Sequence, residues 1–374
     1  MRRDPGTCWT LAILLAWTAG CTPDGGLSPT EQRRQQLDGG TVQVLQQAQA
    51  LRLRGQLDQA LFWADSAAAR VADLADIHLL RGQLLEALKQ YDAAEEAYAT
   101  ALTIDPAYHI AAYHRGNVAF QRERYDEAIA QYLATLGLHA WTPRANPAAL
   151  EARLGRTPLA TTLLQLGRAY GKLGETTKAR EAYAVARAVN PSRADVYGDL
   201  AALYRDDGDL DAALEHAQRA TALDSANLDY LHILGTLLVQ RGAYADAIPP
   251  LRRVAAERPW QTGVHYNLGQ ALLRTGEAAE GQRYLALADT LQPLLADVRR
   301  LEVLVERRPD LLERWLPLAE SYAAVGRYDK AIEAMGNALR LAPESAAAWT
   351  QLATYYEASG QPARAQRARQ RAAR

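Results

Sequence analysis

One column of small residues recurs along this chain: Ala48, Gly82, Gly116, Gly167, Ala201, Gly235, Gly269, Ala319 and Ala353, separated by 34, 34, 51, 34, 34, 34, 50 and 34 residues. Two further columns keep the same step. One is Ala60, Ala94, Ala128, Ala179, Ala213, Ala247, Gly281, Ala331 and Ala365; the other is Ala67, Ala101, Thr135, Ala186, Ala220, Val254, Ala288, Ala338 and Ala372. Small side chains at fixed steps mark places where helices approach closely, since the side chains at a contact set the interaxial distance. The stretch Ala160 to Arg193 shows one full period. Leu163, Leu166, Gly167 and Tyr170 share one helical face, and Ala179, Tyr183 and Ala186 share the next. Gly174 supplies the turn at positive φ, and Pro191 stops the second helix because it lacks an N–H and clashes with the preceding turn.

A 34-residue helical hairpin with this pattern resembles the tetratricopeptide repeat. Nine units in phase run from Thr41 to Arg374, with a closing proline at Pro106, Pro191, Pro259, Pro293 and Pro343. The resemblance implies an all-α, right-handed superhelical solenoid of about nine hairpins whose concave surface is lined by the first helices. Composition agrees on the class. Ala and Leu dominate, only two residues are Phe, and Val, Ile and Thr never gather into alternating runs, so no strand is expected. The first unit and the last helix cap the array.

Two interruptions divide the phase. In the first, 143–159, Asn146 is a suitable N-cap, Pro147 fits the first helical position and Gly155 the stop, which predicts a helix of two turns. In the second, 296–311, Val298, Leu301, Leu304 and Val305 form an apolar stripe ended by Pro309. That predicts one extra helix and a joint. The expected organisation is therefore a seven-repeat array over 41–295, a joint at 296–311 and two repeats over 312–374.

Residues 1–20 have a basic start (Arg2, Arg3), an apolar heart LAILLAW and the ending Thr18-Ala19-Gly20 before Cys21. This is the pattern of a secretory signal, too short for a comfortable membrane span of about 20 residues. The Ala-Gly-Cys ending resembles a bacterial lipobox, which implies lipidation at Cys21 after cleavage. A plain cleaved signal with an incidental cysteine is the other reading. Thr22 is not the Asp that retains such lipoproteins at the inner membrane, so the resemblance implies an outer-membrane anchor facing the periplasm. Cys8 leaves with the signal, so Cys21 has no disulfide partner. Residues 21–40, rich in Gly, Pro and polar types, read as a flexible tether.

The formal net charge is −1, and removing the first twenty residues, which carry +1, leaves −2. No nucleic-acid partner follows from that balance. Between the packing columns lie the candidate groove residues: Tyr113, His114 and Asn117, then Gln165 and Arg168, Asp195 and Asp199, His232, and Tyr266, Asn267 and Gln270. Asn117 and Asn267 stand out, because an amide offers a donor and an acceptor to a peptide backbone. The family's clamp for a C-terminal carboxylate is absent, since Leu45, Leu79, Tyr113, Leu164, Gly198 and His232 occupy its Lys slots. Asp207-Gly-Asp209-Leu-Asp211 echoes a calcium loop, but Ala212 stands where Gly is needed and Gln218 where Glu is. No HExxH, GxSxG or phosphate loop is present, so neither metal nor cofactor is expected. Trp141 and Trp260 follow the closing slot of a hairpin, placed to cover apolar surface between repeats or, if exposed, to anchor a partner. The arginine-rich last helix is a solvated cap, or a contact for anionic lipid or an acidic partner.

The expected function is a non-catalytic scaffold binding a protein or peptide in its groove, anchored in the cell envelope and supporting assembly of an envelope complex. An adaptor that recruits an envelope enzyme is the alternative, and catalysis within the groove a third.

Overall fold

The structure, a computed structural model, describes residues 27–142 and 147–373. Among these residues there are twenty helices and no strand, and two compact units divide the chain at Leu203 and Tyr204. In the first unit a short helix α1 (Pro29–Arg34) precedes three hairpins: α2 (Gly39–Leu53) with α3 (Leu57–Arg70), α4 (Ala75–Ala87) with α5 (Tyr91–Ile104), and α6 (His109–Gln121) with α7 (Tyr125–Leu136). Helix α8 (Pro147–Leu154) leads to α9 (Arg156–Lys172), α10 (Thr176–Val189) and α11 (Ala194–Asp206), whose last residues belong to the second unit. The second unit continues with α12 (Leu210–Leu223), α13 (Leu228–Arg241) and α14 (Tyr244–Glu257), then α15 (Thr262–Thr275) and α16 (Ala278–Arg307). It ends with α17 (Leu312–Ala324), α18 (Tyr328–Leu341), α19 (Ala346–Ala358) and α20 (Pro362–Ala372).

At its glycine positions the small column is where the second helix seats a large side chain. A Cβ at Gly82 would lie 2.3 Å from Tyr98, at Gly116 2.7 Å from Tyr132, at Gly167 2.5 Å from Tyr183, and at Gly235 2.5 Å from Leu251. Tyr98 and Tyr132 are fully buried and cannot retreat. Gly269 and Gly281 bring α15 and α16 together at the backbone, each Cβ position falling within 2.9 Å of the other's carbonyl oxygen. The turn within each hairpin holds positive φ at Gly55, Gly174, Gly208, Gly242, Gly276, Gly326 and Gly360, and Lys89 and Glu123 adopt it in the same slot. A second recurring device pins the hairpin ends. A ring N–H or O–H six residues on bonds the carbonyl of the closing residue: His78 to Ala72, Tyr197 to Pro191, His265 to Pro259, Trp315 to Pro309 and Trp349 to Pro343, at 2.7–3.2 Å.

Three expectations are corrected or refined. Residues 29–34 of the expected tether form a helix with a complete capping box, Ser28 Oγ accepting from the Glu31 N–H and Glu31 Oε2 from the Ser28 N–H. Its Arg34 clasps Asp76 of α4, and Thr30 is buried. The extra helix at 296–311 is absent as a separate element. Helix α16 runs 30 residues, straight through Pro293, to Arg307. The reason is phase: Leu291, Val298 and Val305 repeat every seven residues and are all buried in the core formed with Leu318, Tyr322 and Met335. Continuing the helix buries two more such side chains, at about 1.5–3 kcal/mol each, against the roughly 3 kcal/mol cost of an interior proline. Pro309, not Pro293, therefore closes that repeat. The two compact units divide the chain at 203/204. The predicted helix in 143–159 is present as α8, with Gly155 at φ 80°, while Asn146 lies outside the described residues.

Gly82→Ala is expected to destabilise the fold by about 1–3 kcal/mol through overpacking against Tyr98, despite a helix-propensity gain of roughly 1 kcal/mol. Gly171→Ala in α9, where nothing lies within 4 Å of the added methyl, should keep that gain and stabilise. Denaturant unfolding of both variants checks the pair; equal midpoints would remove the close contact as the reason for the column.

Candidate functional site

The polar residues between the packing columns form rungs from one repeat to the next. The position after the small column meets the position two before the next one. Gln83 Nε2 lies 3.0 Å from His114 Nε2, Arg168 Nε donates to Asp199 Oδ2 at 2.6 Å, Asn267 Nδ2 to Thr236 Oγ1 at 3.1 Å, and Gln351 Nε2 to Glu320 Oε1 at 3.1 Å. Each pair is 31 residues apart. The two insertions break this rung. Asn117 has no counterpart at that spacing and accepts from Tyr132 Oη at 2.9 Å instead. Gln165 and Gln270 stand at the other broken positions, half-buried and without a hydrogen-bond partner among the described residues. The two asparagines singled out in the sequence thus bond within the array, and the two glutamines keep free amides.

In the first unit the inner faces of α2, α4, α6 and α9 enclose a cavity of about 430 Å³. Its walls are largely apolar, with Leu79, Leu80, Ile110, Leu154 and Pro158, and Tyr113 and His114 also line it. Helix α8 supplies part of this wall because Arg153 ties it to the C-terminus of α7, donating to the carbonyls of Thr135 at 3.1 Å and Leu136 at 3.3 Å. Polar groups line one end in series. Arg52 Nη1 donates to Gln83 Oε1 at 2.9 Å, Gln83 meets His114, and the His114 ring stacks on Tyr98 at 5.5 Å between centroids. Tyr98 Oη donates to Glu86 at 2.7 Å, and burial, then the Glu86 charge, raises the Tyr98 pKa. On α2 two buried atoms here have no hydrogen-bond partner among the described residues: Oε1 of Gln49, itself only 9% exposed, and Nε of Arg52. They sit three residues apart on α2, hence on one face. Burial lowers the pKa of Arg52, and burial with the nearby Arg153 lowers that of His109.

The other end of the cavity carries Asp76 and Tyr108. Asp76 is 1% exposed; it receives Arg34 Nε and Nη2 at 2.5 and 2.6 Å and the Tyr108 hydroxyl. Burial opposes the Arg34 charge, but the hydrogen bonds and charge of Asp76 outweigh it and raise its pKa. Burial and Asp76 push Tyr108 up. Asp195 bonds Arg193 at 2.5 Å, and Arg193 also donates to Thr161 on the cavity wall. Burial would raise the Asp195 pKa, but Arg193 outweighs it and lowers it, whereas burial dominates at Asp199 and raises its pKa against the pull of Arg168.

In the second unit His232 is half-buried on α13, with a pKa lowered by burial, and Tyr266 on α15 is 51% exposed. Trp141 is buried and donates to Glu181 at 3.1 Å, and Trp260 packs against the second unit's core under Arg327. Trp260 thus covers apolar surface as expected. Cys21 lies outside the described residues. Among the described residues no group of three or more His, Cys, Asp or Glu could hold a metal, and no helix is long and apolar enough to cross a membrane. Sequence reading missed Gln49, Arg52, Gln83 and Asp76. The signal was available: Gln49, Gln83 and Asn117 share one column, one residue after the small position.

Repeated helix pairs, glycine contacts and inter-repeat rungs define an all-α solenoid repeat protein. The tetratricopeptide repeat matches residues 79–149, 164–227, 238–303 and 312–354, and the chain belongs to that family. It is 26% identical over 159 residues to the type IV pilus assembly protein PilF of Pseudomonas aeruginosa, covering 42% of this chain and 63% of that protein. It is 28% identical over 153 residues to a BBSome complex member BBS4 homolog of Drosophila melanogaster, covering 41% of this chain and 30% of that protein. The chain thus spans less than two thirds of either relative. Among solved structures, PilW, a widely conserved type IV pilus biogenesis factor, superposes with a TM-score of 0.51 at 20% identity, over 63% of this chain and all of that one, which shows a shared fold.

Arg34→Ala should lower stability by about 1–3 kcal/mol, because a buried carboxylate loses its charged partner. Limited proteolysis near residue 34 should accelerate while the helical circular-dichroism signal persists. Unchanged proteolysis would mean that α1 is held by something other than Asp76.

Proposed function

We propose that this chain is a non-catalytic interaction scaffold that holds an extended segment of a partner protein in the cavity between α2, α4, α6 and α9. The observation that carries the reading is the pair of unpartnered buried atoms on α2, the Gln49 acceptor and the Arg52 donor, beside an apolar space of about 430 Å³. Buried polar groups are nearly always hydrogen-bonded. A peptide unit supplies the complementary N–H and C=O, and its apolar side chain fits between Leu79, Leu80, Ile110 and Leu154. The surrounding stack and series, Tyr98 to His114 to Gln83 to Arg52, fix these groups beforehand, which reduces the ordering cost of binding.

In the same reading the protein works in the bacterial cell envelope, lipidated at Cys21 and facing the periplasm, where it supports assembly of an envelope complex. The signal-like residues 1–20 and the similarity to a pilus assembly protein support this placement. Several acyl chains would hold it firmly where one alone would not.

A photocrosslinker at Tyr113 in living cells should capture the partner, and Arg52→Ala should then weaken the purified complex roughly tenfold, the loss of one charge-assisted hydrogen bond. Capture from Tyr266 alone, with Arg52→Ala neutral, would move the site out of the first unit. Cys21→Ser should shift the protein from the membrane to the soluble fraction; unchanged membrane retention would refute lipidation.

A further inference from the structure

The last hairpin carries a feature that the cavity of the first unit does not use. Helix α20 reads PARAQRARQRA, with no acidic residue. A cleft of about 440 Å³ opens along α19 and α20, lined by Trp349, Tyr356, Arg364, Arg367 and Arg371. These arginines sit at i, i+3 and i+7, so they share one helical face over about 10 Å of rise. None has a carboxylate of a described residue within ion-pair distance, whereas Arg369, on the same helix, pairs with Glu357 at 2.6 Å. Elsewhere in the second unit Arg241, Arg252 and Arg258 reach across to Asp211, Glu280 and Asp229. The guanidiniums of the cleft are positioned even without an acid. Arg371 lies 5.4 Å over the Trp349 ring and Arg364 6.0 Å over that of Tyr356, and Trp349 is itself fixed by its bond to the Pro343 carbonyl.

We propose that this cleft is a second interaction site, which takes an extended acidic segment of a partner protein. Planar guanidiniums accept carboxylates in bidentate geometry, and stacking on aromatic rings holds the forks in place before binding. Acidic side chains at alternate positions of an extended strand fall about 6.6–6.8 Å apart, so two of them span neighbouring arginines while the residue between them faces the aromatic rings. A lipid surface fits less well. The apolar residues of α20 are alanines, and Ala365 and Ala368 are buried, so the helix has no large side chain to insert into a bilayer. A nucleic-acid strand calls for a longer basic track than one helix face.

The test uses the full chain and a fluorescein-labelled peptide, Glu-Leu-Glu-Gly-Glu-Leu, read by anisotropy beside its all-Gln counterpart. Binding should require the glutamates, weaken as salt rises, and fall on the order of a hundredfold in an Arg367→Glu, Arg371→Glu double variant that loses two charge-assisted contacts. Arg369→Ala and the groove variant Arg52→Ala should leave it unchanged, which separates this site from the cavity of the first unit. Equal binding of the Gln peptide, or unchanged binding by a double variant with wild-type circular dichroism, would overturn the proposal. So would preferential binding to phosphatidylglycerol vesicles or to a single-stranded oligonucleotide. Salt-sensitive self-association abolished by the same double variant would replace the partner with a second copy of this chain.

Discussion

The contact on which the structure depends is the seating of a large ring against a glycine sixteen residues earlier. Gly82 receives Tyr98, Gly116 receives Tyr132 and Gly167 receives Tyr183, each with a Cβ position closer than 3.0 Å to the ring. Close packing inside a hairpin does two jobs at once. It buries an aromatic surface that the Ala-rich core otherwise lacks, and it sends the phenol oxygen toward the groove side, where Tyr98 bonds Glu86 and Tyr132 bonds Asn117. Where the sixteenth residue is small, as at Ala64 and Ala217, the column holds Ala48 and Ala201 instead of glycine. Packing in the hairpin and polar order in the groove are therefore one constraint.

The fold was legible because that constraint repeats. Nine copies of a small residue in phase leave few architectures, and the helix pairs, the turns at positive φ and the two-turn helix α8 all follow from local chemistry repeated many times. What the sequence hid is whatever breaks local rules in favour of distant packing. Pro293 reads as a stop, yet α16 passes through it because the stripe Leu291, Val298 and Val305 stays in phase with the core. Residues 29–34 read as tether, yet the Asp76 carboxylate, buried on a helix three elements further into the first unit, needs a cation, and Arg34 supplies it.

The groove was half legible for a related reason. Residue type and helical phase place Tyr113, His114, Arg168, Asp199 and Asn267 between the packing columns, as expected. Phase alone does not say whom each side chain meets, because the rungs join residues of neighbouring repeats. An asparagine offered to a ligand and one bonded to the next repeat look alike in sequence. The spacing of 31 residues between rung partners separates the two cases, and it is visible only once the direction of each side chain is known.

The rungs also decide where specificity can reside. A side chain already bonded to its neighbour in the next repeat must break that bond to grip a ligand, so it stiffens the wall and adds little affinity. Among the rung positions, free amides are left where the pairing fails. Gln49 meets Leu80 at the rung spacing, an apolar side chain that offers it no partner, and its oxygen stays buried and unpaired. At the two insertions Gln165 and Gln270 lose theirs, and on the final hairpin Arg364, Arg367 and Arg371 have no carboxylate of a described residue within ion-pair distance. In an array built from one repeated unit, the groups left free to meet a ligand are those that the rungs between repeats leave out.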